Sequence, residues 1–170
     1  FDGQSVDLEK WSYETGTGNW GWGNNESQFY TNNSNNSYIE NGNLVIKAIQ
    51  ENYAGSNYTS ARMVTRNKGD WTYGRFEIRA KLPSGVGTWP AIWMMPTNSE
   101  YGGWPDSGEI DIMEHVGFDP GVIHANCHND TYNWNGGIPP TGGEINVNDF
   151  SQNFHVYALE WNENSIKWFV

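Results

Sequence analysis

From Tyr73 to Leu82 the chain sets Phe76, Ile78, Ala80 and Leu82 against Arg75, Glu77, Arg79 and Lys81. Alternation of this kind predicts an antiparallel strand with one face packed and the other in water. Short runs rich in Val, Ile, Phe, Tyr and Trp recur between clusters of Gly, Asn, Ser and Pro, and apolar positions at helical spacing are almost absent. The pattern predicts an all-β sandwich or barrel. Asn41-Gly42 reads as a hairpin turn leading into a strand over residues 43–49. Further strands are expected at residues 60–65 and 89–95, across an acidic run at 108–115, around His124, and at 154–161 and 165–170. Residues 16–37, rich in Gly, Asn, Trp and Ser, read as one long surface loop of the kind that carries binding groups. With 170 residues, no internal repeat and no linker, the chain is expected to form one domain, 1–170, large enough for a real core.

The acidic run breaks the pattern. Residues 108–115 read Gly-Glu-Ile-Asp-Ile-Met-Glu-His and carry three carboxylates, Glu109, Asp111 and Glu114. Regular alternation puts Glu109 and Asp111 on one face and sends Glu114 to the other. A β-bulge whose added residue is Ile112 or Met113 returns Glu114 to the other two, and bulges are common beside active sites because they re-aim a side chain. About four strand rises then separate the outer Cα atoms, roughly 13 to 14 Å. Glu side chains leaning inward bring their carboxyls to roughly 5 to 6 Å, which overlaps the separation of about 5 to 5.5 Å in retaining glycosidases. Inverting enzymes need a wider gap. In a retaining pair one carboxylate attacks the anomeric carbon and the other serves as acid, then base. Asp111 keeps like charge close to both, and a crowded carboxyl holds its proton to higher pH. Two plainer readings stand beside this one: a solvated acidic strand face, and a metal site of Glu, Asp and His. Against the first, Trp89, Trp93 and Trp104 precede the run and His124, Asn126 and His128 follow it, a density of groups suited to sugars. Against the second, acids in line along one strand seldom converge on one ion.

Composition narrows the ligand. Nine basic against twenty acidic residues give a net charge of −11, which disfavours nucleic acid, and sulfated or uronic polysaccharides, as partners. A neutral ligand is expected. Ten Trp are far above ordinary usage; aromatic faces stack on apolar sugar faces, although about half of them are expected to be structural in a β-protein. Trp89 shares the face of Trp93 by alternation. Cys127 is the single cysteine, so no intrachain disulfide forms, and alternation with Asn126 and His128 turns it toward the core. No stretch has the apolar length of a membrane span. Sequons occur at Asn25, Asn32, Asn35, Asn57 and Asn129; two fall in expected cleft loops, where a glycan would obstruct substrate, which favours a bacterial source.

Several stretches together resemble glycoside hydrolase family 16, and within it the bacterial laminarinase-like endo-β-1,3-glucanases. They are residues 21–31 (Gly-Trp-Gly-Asn-Asn-Glu-Ser-Gln-Phe-Tyr-Thr), 73–83, 87–95 (Gly-Thr-Trp-Pro-Ala-Ile-Trp-Met-Met), 108–115 and 154–161, in family order. The additional Met113 resembles the bulged motif of laminarinases rather than the shorter form of lichenases. The resemblance implies a β-jelly-roll sandwich of two antiparallel sheets, with a sugar cleft on its concave face and a retaining double displacement. It makes Glu109 the nucleophile, Glu114 the general acid/base and Asp111 the carboxylate that supports their charge states. It places Trp93 and Trp104 where they stack on glucosyl rings, Asn25 and Arg62 where they hydrogen-bond hydroxyls, and His128 near the acid/base. Ordinary structural roles are the alternatives: core for Trp93, turn for Asn25, a satisfied histidine for His128. No cofactor is implied for catalysis; a structural calcium held partly by backbone oxygen points to Gly42.

Family domains begin with a strand ahead of the position of Phe1 and continue past that of Val170, so the resemblance implies a domain incomplete at both ends or completed by another segment. The partner it implies is a neutral β-glucan, with neither nucleic acid nor membrane, and a monomer if the fold is complete. It also implies a secreted, extracellular protein. A non-catalytic, lectin-like sandwich is the competing class, and it has no need of two carboxylates at hydrolytic spacing. Transglycosylation, or another neutral β-glucan or galactan as substrate, stays open within the enzyme class.

Overall fold

Short, largely polar strands build the first of two units in the computed structural model, Phe1–Asp70; residues 1–136 and 138–170 are described. In this unit β1 (Ser12–Glu14) pairs with β7 (Arg62–Val64), and β3 (Ser37–Glu40) with β4 (Asn43–Ile46). β6 (Ser56–Ser60) lies between β5 (Ile49–Tyr53) and β2 (Gln28–Tyr30), and the β2–β6 pair is parallel. The expected hairpin turn is present: Asn41 and Gly42 have φ of 51° and 74°, the left-handed pair that Asn-Gly adopts at least strain. The strand expected over 43–49 is broken, because Lys47 leaves β4 and donates its N–H to the Asn36 carbonyl at 2.8 Å.

The expected loop 16–37 is not one loop. It holds β2 and a tight coil at residues 21–25; Trp20 just before the coil and Trp22 and Asn25 within it all have positive φ. Among the described residues of this unit Ala61 is the one buried apolar side chain, whereas Thr31, Asn36, Ser37 and Thr59 are buried polar ones. Asn36 organises them: its Nδ2 donates to Thr59 Oγ1 at 2.9 Å and to the Lys47 carbonyl at 3.1 Å, and Thr31 donates to its Oδ1. A buried amide is tolerable when its partners are all supplied. Hydrophobic patterning carries no trace of such an interior, which is why it predicts none of β1, β2, β5 and β6.

In the second unit, Trp71–Val170, most strands follow the alternation rules. The strands are β8 (Gly74–Ala80), β9 (Ala91–Met94), β10 (Glu109–Glu114), β11 (Val122–His128), β12 (Thr141–Asn146), β13 (His155–Asn162) and β14 (Ser165–Phe169). They form two antiparallel sheets ordered β12-β11-β10-β9 and β14-β13-β8. Ile112, Met113 and Ile123 of the first sheet and Tyr157 and Leu159 of the second share one apolar cluster with Leu82, Val147 and Phe150. Phe76, Ile78 and Ala80 of β8 pack on it, as their alternation predicts. β12 escapes pattern reading because its sequence is Thr-Gly-Gly-Glu-Ile-Asn. Gly142 is nonetheless required: a methyl there would overlap the Ala125 carbonyl of β11. Cys127 pairs with Ile110 on the core-facing side of its sheet, and burial pushes its thiol pKa up, as an inward thiol requires.

Candidate active site

β10 is bulged. Against β11, Asp111 pairs with Asn126 and Glu114 with His124, so three steps on β10 span two on its neighbour. Against β9, Asp111 pairs with Trp93 and Met113 with Ile92, which identifies Ile112 as the added residue. Ile112 and Met113 are both buried in the core. Consecutive residues on one face are what a bulge produces, and Glu114 is thereby returned to the face of Glu109 and Asp111. Directly paired residues of an antiparallel sheet share a face. The registers Glu109–His128, Asp111–Asn126, Glu114–His124 and Asp111–Trp93 therefore set these side chains around the acids.

Each outer carboxylate is held by an indole. Trp104 donates Nε1–H to Glu109 Oε2 at 2.7 Å, and Trp89 donates Nε1–H to Glu114 Oε1 at 2.9 Å. Asn126 Nδ2 donates to the second oxygen of Glu114 at 3.1 Å. The sequence suggests stacking platforms at Trp89 and Trp104; in the structure their polar edges are engaged with the acids, and both stay nearly half exposed. Trp93 lies half-buried across the ladder from Asp111. The Trp104 ring also leans on His128, centroids 5.8 Å apart.

Asp111 is only 2% exposed. Its carboxyl pKa is pushed up to about 9, first by burial, then by the charges of Glu114 and Glu109, and by a hydrogen bond to Glu109. The same bond requires a proton, which at neutral pH belongs to Asp111 and points at Glu109. His128, buried, has Nε2 3.1 Å from Asp111 Oδ2. With the Asp111 proton committed to Glu109, that ring nitrogen is the donor. The chain His128 to Asp111 to Glu109 thus carries one proton per link, and one side-chain oxygen or nitrogen of each residue lies within 4.8 Å of the others.

The other expected residues lie in the first unit. Asn25 is an exposed turn residue with φ of 55°. Arg62 donates Nε–H to Glu14 Oε2 at 2.6 Å and lays its guanidinium 4.4 Å from the Trp22 ring centroid. Gly42 sits in the β3–β4 turn. Among the described residues no grouping of three His, Cys, Asp or Glu side chains surrounds Gly42, whereas calcium takes about six to eight oxygens. A calcium at Gly42 would therefore have to draw mainly on backbone oxygen.

Two contacts of the acids were not foreseen: that of Asn126, singled out in the sequence only as a group suited to sugars, with Glu114, and that of Trp168. Asn126 carried a usable signal, since it alternates with His124 and His128 on the strand beside the acids. Trp168 carried none: it donates Nε1–H to the Asp111 carbonyl at 2.9 Å from 57 residues away.

Paired carboxylates on one face of a bulged strand, edged by tryptophans in a β-sandwich, are an arrangement suited to cleaving a glycosidic bond. The chain belongs to the glycosyl hydrolases family 16, whose model matches residues 23–170. With that family comes its jelly-roll fold. A β-glucanase of Rhodothermus marinus is 55% identical over 167 residues, covering 96% of this chain and 57% of that protein. The crystal structure of the laminarinase from Rhodothermus marinus superposes with a TM-score of 0.93 at 53% identity, over 98% of this chain and 66% of that one. A glucan endo-1,3-β-glucosidase of Cryptopygus antarcticus is 46% identical, over all of this chain and 63% of that protein. The chain therefore spans less than two thirds of the length of these relatives.

Proposed function

We propose that the protein containing this chain cleaves β-1,3-linked glucan internally, with retention of anomeric configuration. The observation that carries the reading is the Ile112 bulge, which sets Glu109, Asp111 and Glu114 on one face. Relatives named as glucanases and laminarinases support the substrate class. A net charge of −11 agrees with a neutral chain as substrate.

In the first step a carboxylate oxygen of Glu109 attacks the anomeric carbon while Glu114 gives its proton to the departing glycosidic oxygen. The C–O bond to the leaving chain breaks and a glycosyl ester to Glu109 forms. Water then enters, Glu114 takes its proton, and the ester opens to return both carboxyls to their starting states. Trp104, bonded to Glu109 Oε2, fixes the rotamer of the nucleophile. Trp89 and Asn126 fix Glu114 in the same manner. The Asp111 proton lies against Glu109 and offsets its charge when the ester is broken. Secretion follows from the size of a polysaccharide substrate, which cannot enter a cell intact.

Replacing Glu109 with Ser and following reducing-end release from laminarin tests the reading, with proton NMR of the first product to fix its configuration. Loss of release, and a β-configured product from the wild type, are expected. Undiminished release by Glu109→Ser sinks the assignment, and laminarin binding without any release by the wild type leaves a lectin in its place.

A further inference from the structure

The bulge has a support from outside its own sheet. β10 is the strand of the acids, while Trp168 belongs to β14 in the opposite sheet. The Trp168 ring packs on the apolar cluster between the sheets, and its Nε1–H ends on the Asp111 carbonyl at 2.9 Å. Asp111 is the last residue in register with both neighbours: the slip toward β11 begins after it, and so does the slip toward β9. The accepting oxygen thus belongs to the peptide linking Asp111 to Ile112, the plane at which β10 departs from a regular strand. Rotating that plane turns the Cα–Cβ direction of every later residue relative to the earlier ones. Glu109 and Asp111 lie before it and Glu114 lies after it.

We propose that Trp168 is a positioning residue: its indole N–H, reaching through the core, fixes the Asp111–Ile112 peptide and so sets the angle between Glu114 and the Glu109/Asp111 pair. A structural indole needs a polar partner when buried, and many carbonyls would serve. This one is at the single point where a backbone rotation is converted into carboxylate separation. Small errors there matter, because a misplacement of about 1 Å in a catalytic pair reduces turnover by about 100-fold.

The test compares Trp168→Phe, which keeps an aromatic ring, with a variant carrying β-(3-benzothienyl)alanine at position 168, which keeps the full bicyclic shape and lacks only the donor. Both are made in the full-length protein and assayed on laminarin and on an aryl β-glucoside oligomer whose leaving group departs without protonation. The assay rests on the glucanase reading, so Glu109→Ser runs in parallel, and amide NMR shifts of residues 110–114 are recorded without substrate. For the benzothienyl variant we expect kcat on laminarin to fall by about 10-fold or more with KM within about twofold. The loss on the aryl substrate is expected to be smaller, the alkaline limb of the pH profile, which reports the general acid, displaced, and the amide shifts of Ile112 to Glu114 moved. Wild-type kcat and pH profile in that variant, with Glu109→Ser inactive, overturn the role of Trp168 alone. Unmoved amide shifts at Ile112 to Glu114 overturn it even if Glu109→Ser proves active and the glucanase reading fails.

Discussion

Replacing Asp111 with Asn removes an ionisable group and little else. The amide Nδ2–H takes over the hydrogen bond to Glu109, and its Oδ1 accepts from His128 Nε2 as the acid's Oδ2 does. What changes is the linkage to pH. The Asp111 pKa lies at about 9 in the fold against 3.8 for the free side chain. Its folded value is the higher one, so between about pH 4 and pH 9 the folded chain holds a proton that the unfolded chain has released, and stability falls as pH rises. Each pKa unit corresponds to about 1.4 kcal/mol, so the roughly three units between 3.8 and neutral pH amount to about 4 kcal/mol lost by the wild type at pH 7. The substituted amide does not titrate. Urea unfolding of wild type and Asp111→Asn at pH 4, 5.5 and 7.5 should give equal stabilities within about 0.5 kcal/mol at the lowest pH and a lead for the variant of about 2 to 4 kcal/mol at the highest. A difference that is flat with pH, or a wild type that is the more stable at pH 7.5, refutes the protonated Asp111 on which the proton chain depends.

Trp104→Phe keeps the ring and removes the donor to Glu109; kcat on laminarin should fall about 10- to 100-fold with KM changed by less than about threefold, and a purely stacking Trp104 would raise KM instead. Gly142→Ala drives a methyl against the Ala125 carbonyl, so it should lower unfolding free energy by about 2 to 4 kcal/mol and speed amide exchange in β12, and an unchanged urea midpoint would show that the two strands separate freely.

The acid face was readable because a strand has a period of two and the arithmetic of Glu109, Asp111 and Glu114 fails without an added residue. Which residue it was could not be read, since Ile112 and Met113 are equally apolar and both end in the core. β8 was legible for the same reason as the acids. The first unit was largely opaque: its interior is held by Asn36, Thr31 and Thr59, and polar residues that fold by pairing look like loop residues in a list. Tryptophan hid its function in another way. The residue type offers a sugar-stacking face and a polar edge together, and only the geometry reveals that Trp89 and Trp104 present their edges to the acids.

The Ile112 bulge also separates spacing from outcome. Glu109 and Glu114 are an odd number of residues apart, which in an unbroken strand means opposite sides, and the bulge gives that odd count the parity of an even one. A motif one residue shorter between Asp111 and the last Glu reaches the same side with no bulge at all. The gap after Asp111 can therefore lengthen or shorten by one residue while the acids keep company. The gap before it has no such freedom, because losing Ile110 would turn Glu109 and Asp111 back to back.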